Sequence, residues 1–382
     1  MTEADGDLCF IHLDYPDSVI SPLIKSSSSE KPVNIDEIKR LTAKGLDSPI
    51  DRTLSWLLIL KLYPQDKTKW PSIFNELKTQ YFDYVNYTNL QEWHKKQISP
   101  QITIDDFGKD FHDMGVIHGD IVRSGRLFFF LPERPILYPQ TKADQGDVLF
   151  EFQEHLRRLE RLLYVFRTFH SGMGYMQGFN EIAIPFYYVI LRPFRNHSGH
   201  NTENDEISSE MLDTVEVLTF HCFQKIMTNT TLAEFYTTQD QSSIIKHQLN
   251  TFENLMKIHL PNCYAAIQSL HIHPVFYCLR WFSLCFAQEH DLPSLLAVWD
   301  ALISHFQTFV EYLFYVGLGH LKIVEPKINK ENYSKTIEAL QHINTSGRVK
   351  DILSFADECW MKDKNPQPPQ PTQKSPFKKK HT

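Results

Sequence analysis

Two short stretches of this 382-residue chain carry side chains suited to phosphate chemistry. One is Ile117-His118-Gly119-Asp120-Ile121-Val122-Arg123; the other, farther along, is Gly174-Tyr175-Met176-Gln177-Gly178-Phe179-Asn180. A guanidinium can neutralise charge building on a transferring phosphoryl group, and a carboxamide can hold the attacking water in line. Offered together, they would complete an incomplete active centre on another molecule. Each stretch also has a purely structural reading. Asp120 and Arg123 are spaced as an i, i+3 ion pair on an exposed helix. Tyr-x-Gln-Gly at a helix entry is a turn in which Gly178 supplies a permissive backbone and Tyr175 packs. Asn180 suits a cap for the helix that follows.

Other reactive-looking residues make weaker sites. His271 and His273 alternate before Pro274, with no carboxylate or cysteine at metal-ligand spacing. Glu289-His290-Asp291 reads as the polar end of one helix and the cap of the next. The six cysteines, Cys9, Cys222, Cys263, Cys278, Cys285 and Cys359, form no CxxC pair, so no metal site is expected. There is no GxSxG, HExxH or GxxxxGK[ST] motif. The missing phosphate loop predicts that nucleotide, if used, is carried by a partner.

Composition narrows the class. At 42% hydrophobic and 13% aromatic residues the chain supports a large core, with length for two or three domains. A net charge of -7 argues against a duplex nucleic-acid binder. MTEADGDLCF lacks the basic and apolar regions of a secretory signal. No run reaches the ~18 apolar residues of a membrane span, Leu54–Leu60 and Ile182–Leu191 being too short. A cytoplasmic protein with reduced thiols is expected, touching membranes only peripherally or through a partner.

The elements that must position these residues are helical. Residues 1–34, with Ser26-Ser27-Ser28-Ser29, read as a flexible arm. Helical spacing begins at Ile35, and further helices are expected over Ser48–Leu62 and from Pro71 through Tyr84. Leu156, Leu159, Leu163 and Phe166 mark a clear amphipathic helix, with Glu154, Arg157, Arg158 and Glu160 on its other faces. It stops at Ser171-Gly172-Met173-Gly174, and the Gln177 segment leads into a buried helix around Pro185. Arg195–Glu210 reads as a surface insertion. Helical periodicity resumes over Met211–Met227, Ile244–Ile258, His273–Phe286, Pro293–Phe306, Phe309–Val324 and Ile337–Trp360. The end, PQPPQPTQKSPFKKKHT, is a low-complexity tail expected to be disordered. With almost no alternating strand pattern, the fold class is all-α.

Read in order, these segments resemble the TBC domain of Rab GTPase-activating proteins. Ile117-x-x-Asp120-x-x-Arg123 is similar to that family's IxxDxxR motif, and Tyr175-x-Gln177-Gly178 to its YxQG motif. Arg52-x-x-x-Trp56 after Gly45 resembles its opening helix; Arg280-Trp281 and Trp299-Asp300 resemble its RW and WD pairs. The long stretch between Trp56 and Ile117, the Phe128-Phe129-Phe130 run and the compact C-terminus resemble the group of TBC domain family member 13. Ser124 and Phe179 depart from the usual threonine and methionine, and residues 124–131 lack an early proline.

The resemblance implies two helical lobes, roughly 35–210 and 211–330, within a domain spanning 35–330. A helical extension over 331–360 and a Pro/Lys-rich tail over 361–382 would follow. It implies a GTPase activator, not itself an enzyme, that lends Arg123 as an arginine finger and Gln177 as a glutamine finger to a GTP-bound Rab in vesicle trafficking. Asp120, Tyr175, Gly178 and Asn180 would support them, and Arg52, Trp56, Arg280, Trp281, Trp299 and Asp300 would be structural. GTP and Mg²⁺ would come with the partner, on endomembranes. The alternative is a catalytically idle scaffold that binds a GTPase or adaptor.

Overall fold

Apolar residues spaced at three and four become helices throughout. In the computed structural model, which describes residues 17–98, 102, 104–131, 149–196, 207–236 and 241–365, every regular element is an α- or 3-10 helix. The chain opens with α1 (Ser21–Lys25), α2 (Ile35–Thr42) and α3 (Pro49–Ile59). The first lobe is built on α4 (Trp70–Tyr87), α5 (His112–Arg123), α6 (Gln153–Phe169), α7 (Phe179–Asn196) and α8 (Ser209–Asn229). The second has α9 (Gln241–His259), α10 (Pro261–Ser269), α11 (Cys278–Ser283), α12 (Leu292–Ser304), α13 (Phe309–Val324), α14 (Tyr333–Gln341) and α15 (Val349–Lys364).

The helix α6 is central, and its charged faces are buried along with its apolar one. Arg158 and Arg161 reach across to Glu216 on α8 at 2.8 and 2.6 Å, and Tyr81 of α4 donates to the same carboxylate. Glu160 accepts from the Trp93 indole and bonds His118 of α5. Two arginines and a phenol hold Glu216 below its usual carboxylate range against the opposing effect of burial. Removing one member of such a group costs about 3–5 kcal/mol, because a buried charge is left without its partner. The network therefore locks α4, α5 and α8 around α6, and fixes the base from which α5 projects.

A second node joins the two ends of the fold. The fully buried Asp300 on α12 accepts from Arg52 on α3 (3.1 Å), the Trp56 indole (2.8 Å) and the Leu46 amide (3.0 Å). Burial pushes the Asp300 carboxyl up, and Arg52 opposes that. Trp56, Phe186 and Trp299 pack edge to face around this node, and the Trp299 indole donates to the Cys285 carbonyl. Trp281 is sealed in the second lobe against Tyr277 and His320.

Several expectations need correction. The arm predicted over residues 1–34 is, from Asp17 on, an ordered piece of the fold. Buried Asp51 accepts from the Ser18 hydroxyl and the Val19 and Ile20 amides, and Ile20 and Ile24 enter the core. Residues 1–16 lie outside those described. The lobe boundary at 210/211 is displaced, because α8 packs on α4, α6 and α7 and so belongs to the first lobe. The helix expected over His273–Phe286 is broken. A 3-10 turn at Pro274–Phe276 precedes the short α11, after which Cys285 and Phe286 take positive φ and the Phe286 amide bonds back to the Trp281 carbonyl.

The extension beyond residue 330 is integral to the second lobe, since α15 lies along α13. A Cβ on Gly319 would overlap the Ile352 carbonyl, so glycine permits the approach. That helix runs to Lys364, past the expected start of the tail, and residues 366–382 lie outside those described, as does the middle of the predicted insertion at 197–206.

Candidate functional site

Arg123 is the last residue of α5, where a cation complements the helix dipole. The Ser124 amide bonds the Asp120 and Ile121 carbonyls, and the chain turns away. Asp120 lies one turn back and is buried, with Ile117 and Ile121 packed inward around it. Its carboxylate holds the Arg123 guanidinium on one oxygen and accepts from the Tyr175 hydroxyl at 2.8 Å on the other. Burial, and then the Asp120 charge, push the Tyr175 phenol well above its usual 10, so it remains a donor. The i, i+3 ion pair exists, but it has one buried member.

Gln177 is placed by a turn with little freedom. Helix α6 ends at Phe169; the amides of Met173 and Gly174 both bond the His170 carbonyl, and Gly174 takes φ +68. Gly178 takes φ +104, and a Cβ there would lie 2.5 Å from Leu284 Cδ2. Phe179, the first residue of α7, is fully buried among the rings of Phe166, Phe223 and Tyr236. Between these anchors Gln177 is left exposed at the corner.

Asn180 is not the helix cap its position suggested. It lies inside α7, and its amide donates across to the Asp120 carbonyl (3.1 Å) and the Ser124 hydroxyl (2.6 Å). The YxQG segment is thereby tied directly to the end of α5.

Arg123 and Gln177 both line one open cleft of about 700 Å³. Three ion pairs border it: Arg123–Asp120, Arg126–Glu181 at 2.8 Å and Arg280–Glu289 at 2.8 Å. The arginine side chains are 63, 38 and 42% exposed and the carboxylates 3, 8 and 4%, so the cleft presents guanidinium to solvent over concealed negative charge. Glu181 also lies 3.2 Å from the Ser124 hydroxyl and 3.4 Å from the Gln288 amide, linking the lobes. Burial pushes the Glu289 carboxyl up, with Arg280 opposing. The far wall is the end of α14 and the turn after it, residues 341–344.

Of the residues singled out from the sequence, Asp120, Arg123, Gln177, Gly178 and Asn180 meet at this cleft, with Tyr175 against Asp120. Arg280 also lines it, unlike its neighbour Trp281. Arg52, Trp56, Trp299 and Asp300 form the separate node described above. Sequence reasoning missed Arg126, Glu181, Gln288 and the 341–344 turn, and read Glu289 only as the polar end of a helix. Only the nearness of Arg126 and Glu181 to the two motifs could have flagged any of them. Among the described residues no group of His, Cys, Asp and Glu is arranged to hold a metal ion, and no helix is long and apolar enough to cross a membrane.

Comparison with known proteins gives a consistent result. Residues 140–329 match the family described as Rab-GTPase-TBC domain, a span that contains Gln177 and begins beyond Arg123. Human TBC1 domain family member 13 is 25% identical over 189 residues, 50% of this chain and 44% of that protein. The GTPase-activating protein GYP7 of Candida glabrata is 22% identical over 328 residues, 84% of this chain and 40% of its own length. The chain thus spans less than half of either relative. The crystal structure of the Ypt/Rab-GAP domain of Gyp1p superposes with a TM-score of 0.64 at 18% identity, covering 90% of this chain and 96% of that one.

Proposed function

We propose, from the premise that this chain belongs to the Rab-GTPase-TBC family, that it stimulates GTP hydrolysis by a Rab-type small GTPase in its GTP-bound state. The observation carrying this reading is that Arg123 and Gln177, distant in sequence, are exposed on one cleft, and that bonds from Tyr175 and Asn180 to Asp120 join the segments that carry them. GTP and Mg²⁺ arrive with the partner; the chain contributes a cation and a carboxamide.

The bonding supports a division of labour. Asp120 restrains Arg123 from one side and leaves most of its guanidinium free to meet phosphate oxygens. The planar fork suits two such oxygens as charge spreads between them. Gln177, held between two positive-φ glycines, offers its carboxamide to the water that attacks the terminal phosphate. A preorganised pair of this kind does not reorganise at the moment of reaction, and an arginine finger contributes about 10³–10⁵ in rate in related GTPases. The chain is a catalyst only jointly with its partner, and its place on endomembranes would follow from that partner.

The test is phosphate release from a panel of GTP-loaded Rab-type GTPases with and without this protein. Stimulation of at least one member is expected. Binding without any stimulation would favour the idle scaffold, and neither binding nor stimulation would end the reading.

A further inference from the structure

The wall of the cleft formed after α14 was announced by neither motif and lies beyond the 140–329 match. It is pinned at three points. The Arg280 guanidinium donates to the Gln341 carbonyl at the end of α14 (3.0 Å), the Gln341 amide donates to the Phe276 carbonyl (2.8 Å), and the Thr345 hydroxyl donates to the Glu289 carbonyl (2.6 Å). Between the pins, His342 and Asn344 are exposed and Ile343 is half-buried.

The chemistry of this wall differs from that of the fingers. Arg123 has one carboxylate partner and is otherwise open, whereas Arg280 is engaged by both Glu289 and a helix-end carbonyl. An imidazole, an aliphatic side chain and a carboxamide on a fixed turn suit a protein surface better than a phosphate. Because the turn is already ordered, little freedom is lost when a partner covers it. A GTPase that brings its nucleotide to Arg123 and Gln177 must fill the cleft, and so must meet this wall with the surface bordering that nucleotide.

We propose that the turn at residues 342–344 reads the GTPase surface beside the bound nucleotide and helps to select which GTPase is accelerated, with Arg280 as the residue that positions it. This rests on the GTPase-activating reading above. Selection by such contacts is a difference of affinities, so it belongs in KM across substrates.

The experiment measures kcat and KM for the full chain over a panel of GTP-loaded Rab-type GTPases, for wild type, a His342→Ala, Asn344→Ala double variant and Arg280→Gln. Both positions in the double variant are exposed and only the solvent-facing bond from the Ser346 amide to Asn344 Oδ1 is lost, so it should fold and melt close to wild type. The expected result is a fall in kcat/KM of about fivefold or more on the best substrate, carried by KM, with a changed order of preference; Arg280→Gln should reproduce it. Unchanged KM and preference in both variants, or a loss carried by kcat alone, overturns the proposal while leaving the activity standing. A wild-type protein that stimulates no GTPase overturns both.

Discussion

Three glycines near Gln177 allow a graded test of how that residue is held. Gly172 has ordinary φ and open space around it, so alanine there should be nearly neutral. Gly174 has φ +68 with nothing within 4 Å of a Cβ, so Gly174→Ala carries only the backbone term, about 1–2 kcal/mol for an L-residue in the left-handed region. Gly178 has φ +104 and adds the overlap with Leu284 Cδ2 at 2.5 Å. Leu284 is buried, but its methyl is the far end of a rotatable side chain, so the overlap should add about 1–2 kcal/mol. Gly178→Ala should therefore cost about 2–4 kcal/mol in urea denaturation.

Leu284→Ala alone should cost about 2–4 kcal/mol as a cavity. Combined with Gly178→Ala, the added methyl occupies part of the vacated space, so the double variant should be about 1 kcal/mol more stable than the sum of the singles. Any displacement of the turn moves the Gln177 carboxamide, and about 1 Å of misplacement can lower a catalysed rate by about 10². Hydrolysis assays on the same variants should then rank Gly172, Gly174 and Gly178 as stability does. Equal stability and activity for all three alanine variants would refute the claim that this turn sets Gln177.

Tyr175→Phe removes a 2.8 Å charge-assisted hydrogen bond from buried Asp120; stability should fall by about 1–3 kcal/mol and GTPase stimulation should fall less than on loss of Arg123, both read from one preparation. Asp300→Ala leaves the Trp56 indole and the Leu46 amide without their acceptor and Arg52 with only the Leu46 carbonyl and should cost about 3–5 kcal/mol in denaturant, yet the folded fraction should keep wild-type stimulation because Asp300 lies outside the cleft. His290 and His320 share a buried 2.9 Å hydrogen bond, burial lowering His290 to about 4 and His320 well below its usual range. With folded-state values below the unfolded 6.5, the unfolded chain binds more protons, so their contribution is present above pH 6.5 and is lost as pH falls toward 4. Denaturation at pH 7 and pH 5 should show that loss in wild type, and a flatter response in a His290→Gln, His320→Gln double variant.

The all-α class was legible because three- and four-residue spacing survives in nearly every segment, as in α13, which occupies Phe309–Val324 as expected. Arg123 and Gln177 were legible as candidates because each sits in a local motif whose spacing is a property of one helix end or one turn. What was not legible depends on distance. Nothing near Asp300 announces that its partners lie about 250 positions earlier, and nothing near His342 announces the cleft. The charged residues of α6 were legible only as lying off its apolar face; that they are buried depends on partners on other elements, Glu216 for Arg158 and His118 and Trp93 for Glu160. The ordering of residues 17–34 turns on Asp51, a buried carboxylate whose donors belong to the arm itself.

The central claim is that Arg123 and Gln177 complete a GTPase's active centre. The direct measurement is single-turnover GTP hydrolysis on a responsive Rab-type GTPase with wild type, Arg123→Lys, Gln177→Ala and the double variant, each checked for an unaltered melting temperature. Arg123→Lys keeps the charge and loses the fork, and stimulation should drop by about 10³ or more. Gln177→Ala should drop it less, and the double variant should leave only the GTPase's intrinsic rate. Wild-type stimulation by both single variants and the double would contradict the account.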